Sequence, residues 1–333
     1  MPEKSEDLPL FSQQPGAGGP ARAPAAGVRP SSSLSAAVSA WAQALQANGR
    51  SIHTVKAFTG DLNLLGKFLG AGQAVNSIGT QDLRRFLDWM QKGRRVPCSP
   101  KTYARRITSL KAFFRWLMEI AVLLEDPALA IPQQTVLSPL PEVLTPEEVR
   151  LVLETAEALR HKQPPDARSY TLLALLLQTG IKKSECLTID LNHVDVHAPA
   201  GPTLFVRYGD VRKRYRERKL VLSPQWVPAY REYLAQYAPR QRLFPYSPRR
   251  LEYLLEDIGT AAGLEKHVSF NMCRWTSALQ DHQAGIEPDR IRQKLGLSKI
   301  QWREVGTKLD QLASEMEEDG DAPPPPTKKP RRP

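Results

Sequence analysis

Two stretches decide the fold of the second half of the chain: residues 179–189 read TGIKKSECLTI, and residues 203–222 read TLFVRYGDVRKRYRERKLVL. In the longer stretch, apolar and β-branched residues lie on both sides of a strongly basic centre. This pattern predicts a β-hairpin with strands at 203–208 and 218–222 and a basic tip between them. Around it, apolar residues mostly have the spacing of amphipathic helices. We therefore expect a mainly helical unit that contains one small β-hairpin sheet.

The residues before this region mark the start of a separate folding unit. Thr145 is expected to be a helix N-cap, Pro146 suits the first helical position, and Glu148 completes a capping box. The loop that precedes them is typical of a boundary between domains because it is rich in proline, with Pro127, Pro132, Pro139 and Pro141. A length of 333 residues also fits two folded domains better than one.

The expected organisation has five segments. Residues 1–32 are rich in Pro, Gly, Ala and Ser and are expected to form a disordered arm. Residues 33–130 form the first domain, residues 131–143 a linker, and residues 144–312 the second domain. Residues 313–333 combine an acidic block, a proline run and a basic tip, and we interpret them as a disordered, solvated tail. The basic tip also fits a DNA contact or a nuclear targeting signal.

Apolar residues recur with helical spacing in four segments of the first domain, the first of which contains Leu34, Val38, Trp41 and Leu45. Gly70 and Gly72 supply a stop signal after the second segment. Ser99 and Pro100 open the fourth, because serine is a favoured N-cap and proline a favoured first helical residue. Four short amphipathic helices predict a small helical bundle.

Positive charge is concentrated in one part of this bundle. The formal net charge of +11 and the sequence pI near 9.6 indicate a polyanionic partner, but ribosome-associated and membrane-surface proteins share this balance. Between Asp88 and Glu119 there is no acidic residue, whereas the stretch contains Lys92, Arg94, Arg95, Lys101, Arg105, Arg106, Lys111 and Arg115. Solvated helix faces usually mix both signs, so we interpret this block as a contact with double-stranded DNA rather than as an ordinary exposed face.

Other features of the composition narrow the class of protein. Cys98, Cys186 and Cys273 are odd in number and widely spaced, so we expect reduced, structural thiols rather than a zinc site. No apolar run approaches the roughly 18 residues of a membrane span, and the N-terminal residues lack the order of a secretion signal. We expect no membrane partner, a cytoplasmic and nucleoid-associated location, no metal site and no cofactor.

The order of several short motifs resembles the tyrosine recombinase, or phage integrase, family over roughly residues 33–310. The motifs are SIHTV at 51–55 with Asp61-Leu62, LKAFFRWL at 110–117 with Asp126-Pro127-Ala128, LTPEEV at 144–149, and TGIKKSECLTI at 179–189. Each motif alone is weakly specific, but all of them occur in the family's order. The resemblance implies an N-terminal four-helix SAM-like core-binding domain followed by a mainly helical integrase-type catalytic domain with a small β-hairpin sheet.

The resemblance also implies a reaction. The family cleaves DNA without a metal ion: a tyrosine hydroxyl attacks a backbone phosphate and forms a 3'-phosphotyrosyl link, and a 5'-hydroxyl is released. Two arginines hold the non-bridging oxygens, and a lysine from the hairpin is the general acid. Two histidine-type groups orient the reactants and assist proton movement.

Three positions of this family pattern still carry a positive charge in the chain. The first arginine falls on Lys182, which keeps the charge but cannot form the bidentate fork of a guanidinium. The hairpin lysine falls on Lys213, although Arg212 and Arg214 flank it and leave the register open by a residue or two. The second arginine falls on Arg274. Together these five side chains and the basic block of the first domain predict a surface that holds DNA backbone phosphates.

The other three positions have lost the family's chemistry. The His-x-x-Arg element begins with Asn271, and the histidine of the Leu-Gly-His motif is replaced by Leu297. His267 lies four residues before Asn271, and we assign it a structural role. The nucleophile falls on Gly306, and the last tyrosine of the sequence is Tyr253. The resemblance therefore predicts remnant positions without a competent catalytic residue, because losing the nucleophile removes the covalent path altogether.

Four functions are compatible with these patterns. The main hypothesis is a DNA-binding member of the family that is inactive alone, and a related one is an architectural or regulatory factor that protects or marks a DNA site. A third is a subunit of a recombination complex, assembled with further copies of itself or with an intact tyrosine recombinase, in which a partner subunit supplies the nucleophile. The fourth is an unrelated basic helical protein, in which Arg274 is a surface residue and the hairpin tip is a solvated loop.

Overall fold

The computed structural model describes residues 27–133 and 139–321, with side chains described up to residue 316. The chain divides into two compact units, residues 1–138 and 139–333. The first is helical, and the second is mainly helical with one small antiparallel sheet. The mainly α fold class predicted from the sequence is confirmed.

The first unit contains the four predicted helices: α1 Leu34–Ala47, α2 Ile52–Leu69, α3 Thr80–Asp88 and α4 Pro100–Glu119. Serine side chains cap three of them, at Ser33, Ser51 and Ser99, because each hydroxyl accepts a hydrogen bond from a backbone N–H of the first turn. A π-helical turn at Trp89–Gly93 follows α3. The local capping signals therefore set where these helices begin.

Aromatic side chains dominate the core of the first unit. Trp41 of α1 stacks on Phe58 of α2, with ring centroids 5.9 Å apart, and meets the edge of Phe113 of α4 at 5.3 Å. Phe113 and Phe114 are fully buried, as is Leu62 of α2. Burial of each such side chain contributes about 1.5–3 kcal/mol, so these contacts between α1, α2 and α4 account for much of the cohesion of the bundle.

The second unit continues with eight helices in its described residues 139–321: α5 Pro146–His161, α6 Arg168–Thr179, α7 Lys183–Cys186, α8 Trp226–Tyr237, α9 Pro248–Ala261, α10 Phe270–Gln283, α11 Pro288–Lys294 and α12 Lys299–Asp321. Thr145 and Glu148 form the predicted capping box of α5. Nine of the twelve residues of helix α6 are buried, and its leucines 172, 173, 175 and 176 are fully buried. It is therefore the central helix of this unit.

The sheet of the second unit has the order β1-β2-β3, with β1 Val194–Asp195, β2 Thr203–Val206 and β3 Arg218–Val221. Strands β2 and β3 form the predicted hairpin, in the register Thr203 opposite Val221 and Val206 opposite Arg218. A short 3₁₀ helix, Val211–Arg216, forms the basic tip. Strand β1 was not predicted, because two residues are too few to show an alternating pattern.

Two predicted domain boundaries differ from the structure. Helix α12 continues through residue 313, since Leu309, Leu312, Ala313 and Met316 form one apolar stripe that packs on α10 and α11. The end of the predicted arm is docked on the first unit, where the carbonyls of Pro30 and Ser32 accept hydrogen bonds from residues 75 and 76. The rest of the predicted arm, 1–26, and of the tail, 322–333, lies outside the described residues.

The two buried cysteines, Cys186 and Cys273, are free thiols in the core of the second unit. Burial raises the pKa of both, to about 12 for Cys273, and keeps them protonated at neutral pH. Within residues 27–133 and 139–321, no helix combines the length and the apolar character that crossing a bilayer requires.

Candidate functional site

A buried carboxylate, Glu185, organises the polar centre of the second unit. Its side chain is 1% exposed and forms an ion pair with Arg218 of β3, whose Nη2 lies 2.9 Å from Oε2 and whose Nη1 lies 3.1 Å from Oε1. The hydroxyl of Tyr208 and the backbone N–H of Lys182 also donate hydrogen bonds to it. All the strong polar partners of the carboxylate are therefore supplied by the hairpin and by the turn before α7.

Glu185 stays ionised because of these partners. Burial alone would raise the pKa of the carboxyl, but the Arg218 guanidinium and the hydrogen bonds from Tyr208 and Lys182 lower it below its ordinary value. Arg218 is itself held by the carbonyl of Lys294 at 2.6 Å. The pair therefore fixes the first residue of β3 between α7 and the end of α11.

Lys182 is a half-buried cation beside this pair. Burial is the main reason why the pKa of its ammonium falls to about 8, and the positive charges of Arg274, Arg216 and Arg218 lower it further. The carboxylate of Glu185 acts in the opposite direction. A lysine whose protonation is disfavoured by neighbouring cations marks a region of high positive potential, which an added phosphate would stabilise.

Arg274 of α10 lies in the same region but is tied to the backbone. Its Nη1 donates to the carbonyl of Gly180 and its Nη2 to the carbonyl of Leu295 at 2.6 Å. Burial lowers the pKa of the guanidinium to about 10, so it remains charged at neutral pH. Since two of its five N–H donors are already used, Arg274 joins the ends of α6 and α11 as well as adding charge to the site.

The other predicted site residues take different places in the second unit, and one of them, Leu297, lines a hollow next to this centre. Lys213 is half exposed on the hairpin tip, with its Nζ 3.8 Å from Asp210 Oδ2, and the hairpin cations that act on Lys182 are Arg216 and Arg218 instead. Asn271 is exposed in the first turn of α10. Leu297 follows α11, and Gly306 lies inside α12. Of the three predicted phosphate-holding residues, the structure brings together Lys182 and Arg274.

A hollow of about 310 Å³ adjoins the Glu185–Arg218 pair. We call it the hairpin hollow, and its lining includes Tyr215, Arg216, Arg218, Arg292, Gln293 and Leu297. Gly296 also lines it, with a left-handed φ of +60°, and a Cβ there would lie 2.7 Å from Nη1 of Arg218. Only glycine therefore allows Arg218 its close approach to the end of α11.

In the first unit, two residues of the predicted DNA contact have a buried counter-ion. Asp61 of α2 is 4% exposed and accepts hydrogen bonds from Arg105 at 2.5 Å, from Arg106 at 3.3 Å and from Ser109 at 2.8 Å. Burial raises the pKa of the Asp61 carboxyl, while these donors oppose the rise. The basic block contains no acidic residue in the sequence, but in the folded unit an acidic residue of α2 packs against it. Contact of Arg105 and Arg106 with DNA stays a prediction.

The rest of this block is more accessible. Lys92, Arg95 and Lys101 are exposed, and Arg94 lies over the ring of Trp89, with its Cζ 5.8 Å from the ring centroid. Lys111 is partly buried on α4. Lys92 lies in the π-helical turn, Arg95 follows it and Lys101 is in the first turn of α4, so part of the exposed positive charge of the first unit lies where these two elements meet.

Sequence reasoning missed the residues that hold the site together. Glu185 lies within the TGIKKSECLTI motif, and Arg218 opens the predicted strand, but neither was identified as functional. The available signal was a carboxylate followed directly by Cys186 and Leu187 in a helical segment, because an acid that is buried there requires a cation. Within the described ranges, 27–133 and 139–321, no cluster of three or more His, Cys, Asp or Glu side chains could hold a metal ion.

The two units and their site define the class of protein. Residues 38–120 match the phage integrase N-terminal SAM-like domain, and residues 142–304 match the phage integrase family. The chain therefore belongs to the tyrosine recombinase, or phage integrase, family, as the sequence motifs predicted.

Within this family, the chain is similar to Xer recombinases. Tyrosine recombinase XerD of Listeria innocua is 23% identical over 278 residues, which cover 79% of this chain and 90% of the relative. Tyrosine recombinase XerC of Lacticaseibacillus casei is 24% identical over 269 residues, or 76% of this chain and 87% of the relative. These alignments span both units.

Solved structures share the fold. The XerH site-specific recombinase bound to a palindromic difH substrate has a TM-score of 0.65 and 17% identity, covering 85% of this chain and 83% of that one. A lambda integrase tetramer bound to a Holliday junction has a TM-score of 0.64 and 13% identity, covering 83% and 77%.

Proposed function

We propose that the protein binds double-stranded DNA without cleaving or rejoining it on its own, and that it acts as a site-binding, architectural or regulatory factor. The observation that carries the proposal is Gly306. The family's nucleophile position falls on this residue in the middle of α12, and none of the residues from 254 to 333 is a tyrosine. A glycine offers no atom that could attack a phosphate.

Three further changes support this proposal. Neither Asn271 nor Leu297 carries a group that titrates near neutral pH, so proton transfer at these two positions is lost. Lys182 offers a point charge instead of a planar fork. Removing one donor that stabilises transition-state charge typically reduces the rate by about 10²- to 10³-fold, and here several are changed together with the nucleophile.

Binding of the DNA backbone is supported by the charges that remain. Lys182, Arg216, Arg218 and Arg274 act on one another electrostatically in the second unit, and Lys92, Arg95 and Lys101 are exposed in the first. Such cations release condensed counter-ions from DNA, so we expect affinity to fall steeply with salt. Solved structures with the same fold carry DNA, which supports DNA as the polyanion, and we expect a DNA-binding protein of this kind to associate with the nucleoid.

The decisive experiment combines capture and binding in one sample. The full chain is incubated with a nicked suicide duplex, and the products are divided between denaturing gel electrophoresis and footprinting, with an intact tyrosine recombinase on its own site as the positive control. We expect a footprint without a covalent protein–DNA adduct. A phosphotyrosyl adduct formed by this chain alone would overturn the proposal.

A mixed assembly is the second candidate function. The observation that favours it is the likeness of the fold to recombinases solved as a dimer and as a tetramer on DNA. In such an assembly an intact recombinase would supply the tyrosine, since a second copy of this chain carries the same Gly306. Cleavage that appears only when this chain is mixed with an intact recombinase, at a site that neither protein cuts alone, would establish this function in place of the first.

A further inference from the structure

The hairpin hollow has the size of a site for one nucleotide. Its volume of about 310 Å³ lies at the lower end of the range of small-molecule sites. None of Lys182, Lys213 and Arg274, the three predicted phosphate-holding residues, lines it. Leu297, a remnant position of the family's catalytic pattern, does line it, so the hollow adjoins the remnant site and shares this one residue with it.

The polar lining of the hollow suits a phosphate. Three arginines line it. Arg292 is fixed by Asp289 Oδ1 at 2.7 Å and by the carbonyl of Leu297 at 3.0 Å. Arg218 shapes the wall of the hollow, since Glu185 and the carbonyls of Lys294 and Arg216 already accept hydrogen bonds from four of its five N–H donors. Glu217, the carboxylate in the lining, accepts a hydrogen bond from the backbone of Tyr208 at 2.9 Å. Guanidinium groups that are already positioned bind an anion at a low entropic cost.

The rim of the hollow supplies an aromatic surface. Tyr215 is 69% exposed, and Arg216 holds its ring by donating a hydrogen bond from Nε to the hydroxyl at 2.9 Å, with the guanidinium carbon 5.2 Å from the ring centroid. Leu297 adds an apolar side chain to the lining. An exposed aromatic ring beside cations is typical of sites that stack an unpaired base and hold its backbone.

We propose that the hairpin hollow accepts one unpaired nucleotide of DNA, with its phosphate held by Arg216 and Arg292 and its base stacked on Tyr215. This inference rests on the proposed DNA-binding function and adds to it a preference for DNA with an unpaired nucleotide. In an intact duplex the same nucleotide would first have to leave the helix, which costs a few kcal/mol of pairing and stacking. The protein therefore binds DNA that carries an extrahelical nucleotide more tightly than fully paired DNA.

The test compares two DNAs at one salt concentration. The full chain is titrated into a paired duplex and into the same duplex with a single-nucleotide bulge, and the ratio of the two affinities is measured. We expect about tenfold tighter binding to the bulge, since stacking of one base has this magnitude. Tyr215→Ala is expected to abolish the ratio, and Tyr215→Phe to retain it. Tyr253→Ala is the matched control, because Tyr253 is an exposed tyrosine outside the hollow.

A second variant tests the phosphate separately from the ring. Gln293→Glu adds a carboxylate to the lining and is expected to reduce the ratio, whereas Gln280→Glu adds the same charge on the exposed face of α10 and is expected to leave it unchanged. Equal affinity for the two DNAs would overturn the inference and leave the proposed function standing. Failure to bind either DNA would overturn both. If a free deoxynucleoside monophosphate at equal concentration displaced the bulged DNA from the protein, the hollow would be a site for free nucleotides and not for a nucleotide of DNA.

Discussion

Replacing Glu185 by glutamine tests the polar centre of the second unit. The substitution keeps the shape of the side chain but leaves the Arg218 guanidinium, which is 9% exposed, without its carboxylate. Removing one partner of a buried ion pair costs about 3–5 kcal/mol, because the other charge remains buried without compensation. We expect Glu185→Gln to lower the free energy of unfolding of the second unit by this amount.

The effect also has a defined pH dependence. The folded-state pKa of Glu185 lies below its ordinary value, so its contribution to stability is present above that ordinary value and is lost as the pH falls through the folded-state pKa. Stability of the wild-type chain should therefore decline in acid more steeply than stability of Glu185→Gln, and the two curves should converge at low pH.

The assay is urea denaturation of the full chain, with hydrogen–deuterium exchange of peptides from the second unit to assign the transition. Glu252→Gln is the matched control, because Glu252 pairs with Lys183 at 2.6 Å while both side chains are more than 40% exposed. Such exposed pairs contribute about 0–1 kcal/mol. The double variant Glu185→Gln/Arg218→Met should recover part of the loss. Equal stabilities of Glu185→Gln and Glu252→Gln would refute the reasoning.

Three further predictions follow from the site and the basic block. DNA affinity should fall roughly tenfold as the pH rises through about 8, because the Lys182 ammonium then loses its proton. In anisotropy titrations at constant salt, Lys182→Arg should remove this step, and an unchanged step would show that another group causes it. Arg274→Lys should destabilise the second unit by about 2 kcal/mol through loss of its two carbonyl bonds, measured as a lower midpoint of thermal unfolding; an unaltered midpoint contradicts that role. Lys101→Ala should lower the slope of log affinity against log salt by about 1 without affecting stability. Arg106→Ala should instead destabilise the first unit, and the reverse pattern of the two variants would assign the DNA contact to Arg106.

Local signals made much of the fold predictable. Ser99-Pro100 and the Thr145–Glu148 capping box fix helix starts through atoms within four residues of one another, so the sequence alone contains the information. The hairpin was also predictable, since apolar and β-branched residues flank a tip that is rich in lysine and arginine. The final helix was cut short because its acidic C-terminal residues obscured the apolar stripe that ends with Ala313 and Met316.

The site was less predictable because its partners are distant in sequence. Asp61 lies 44 residues from Arg105, and Glu185 lies 33 residues from Arg218, so no local pattern pairs them. The acceptors of Arg274 are backbone carbonyls, which every residue possesses and no sequence distinguishes. Family motifs identified Lys182 and Arg274 as a pair, but they could not show that Arg274 also joins two helix ends.

The packing of α12 has a consequence for assembly. Leu309 and Leu312 are buried against α10 and α11 of the same chain, and exposing them would cost roughly 3–6 kcal/mol. A conformer with this helix detached is therefore rarer than the closed form by roughly 10²- to 10⁴-fold. Exchange of α12 between identical copies would restore the same contacts in the partner, so detachment of the helix sets a barrier to exchange but does not disfavour the exchanged oligomer itself.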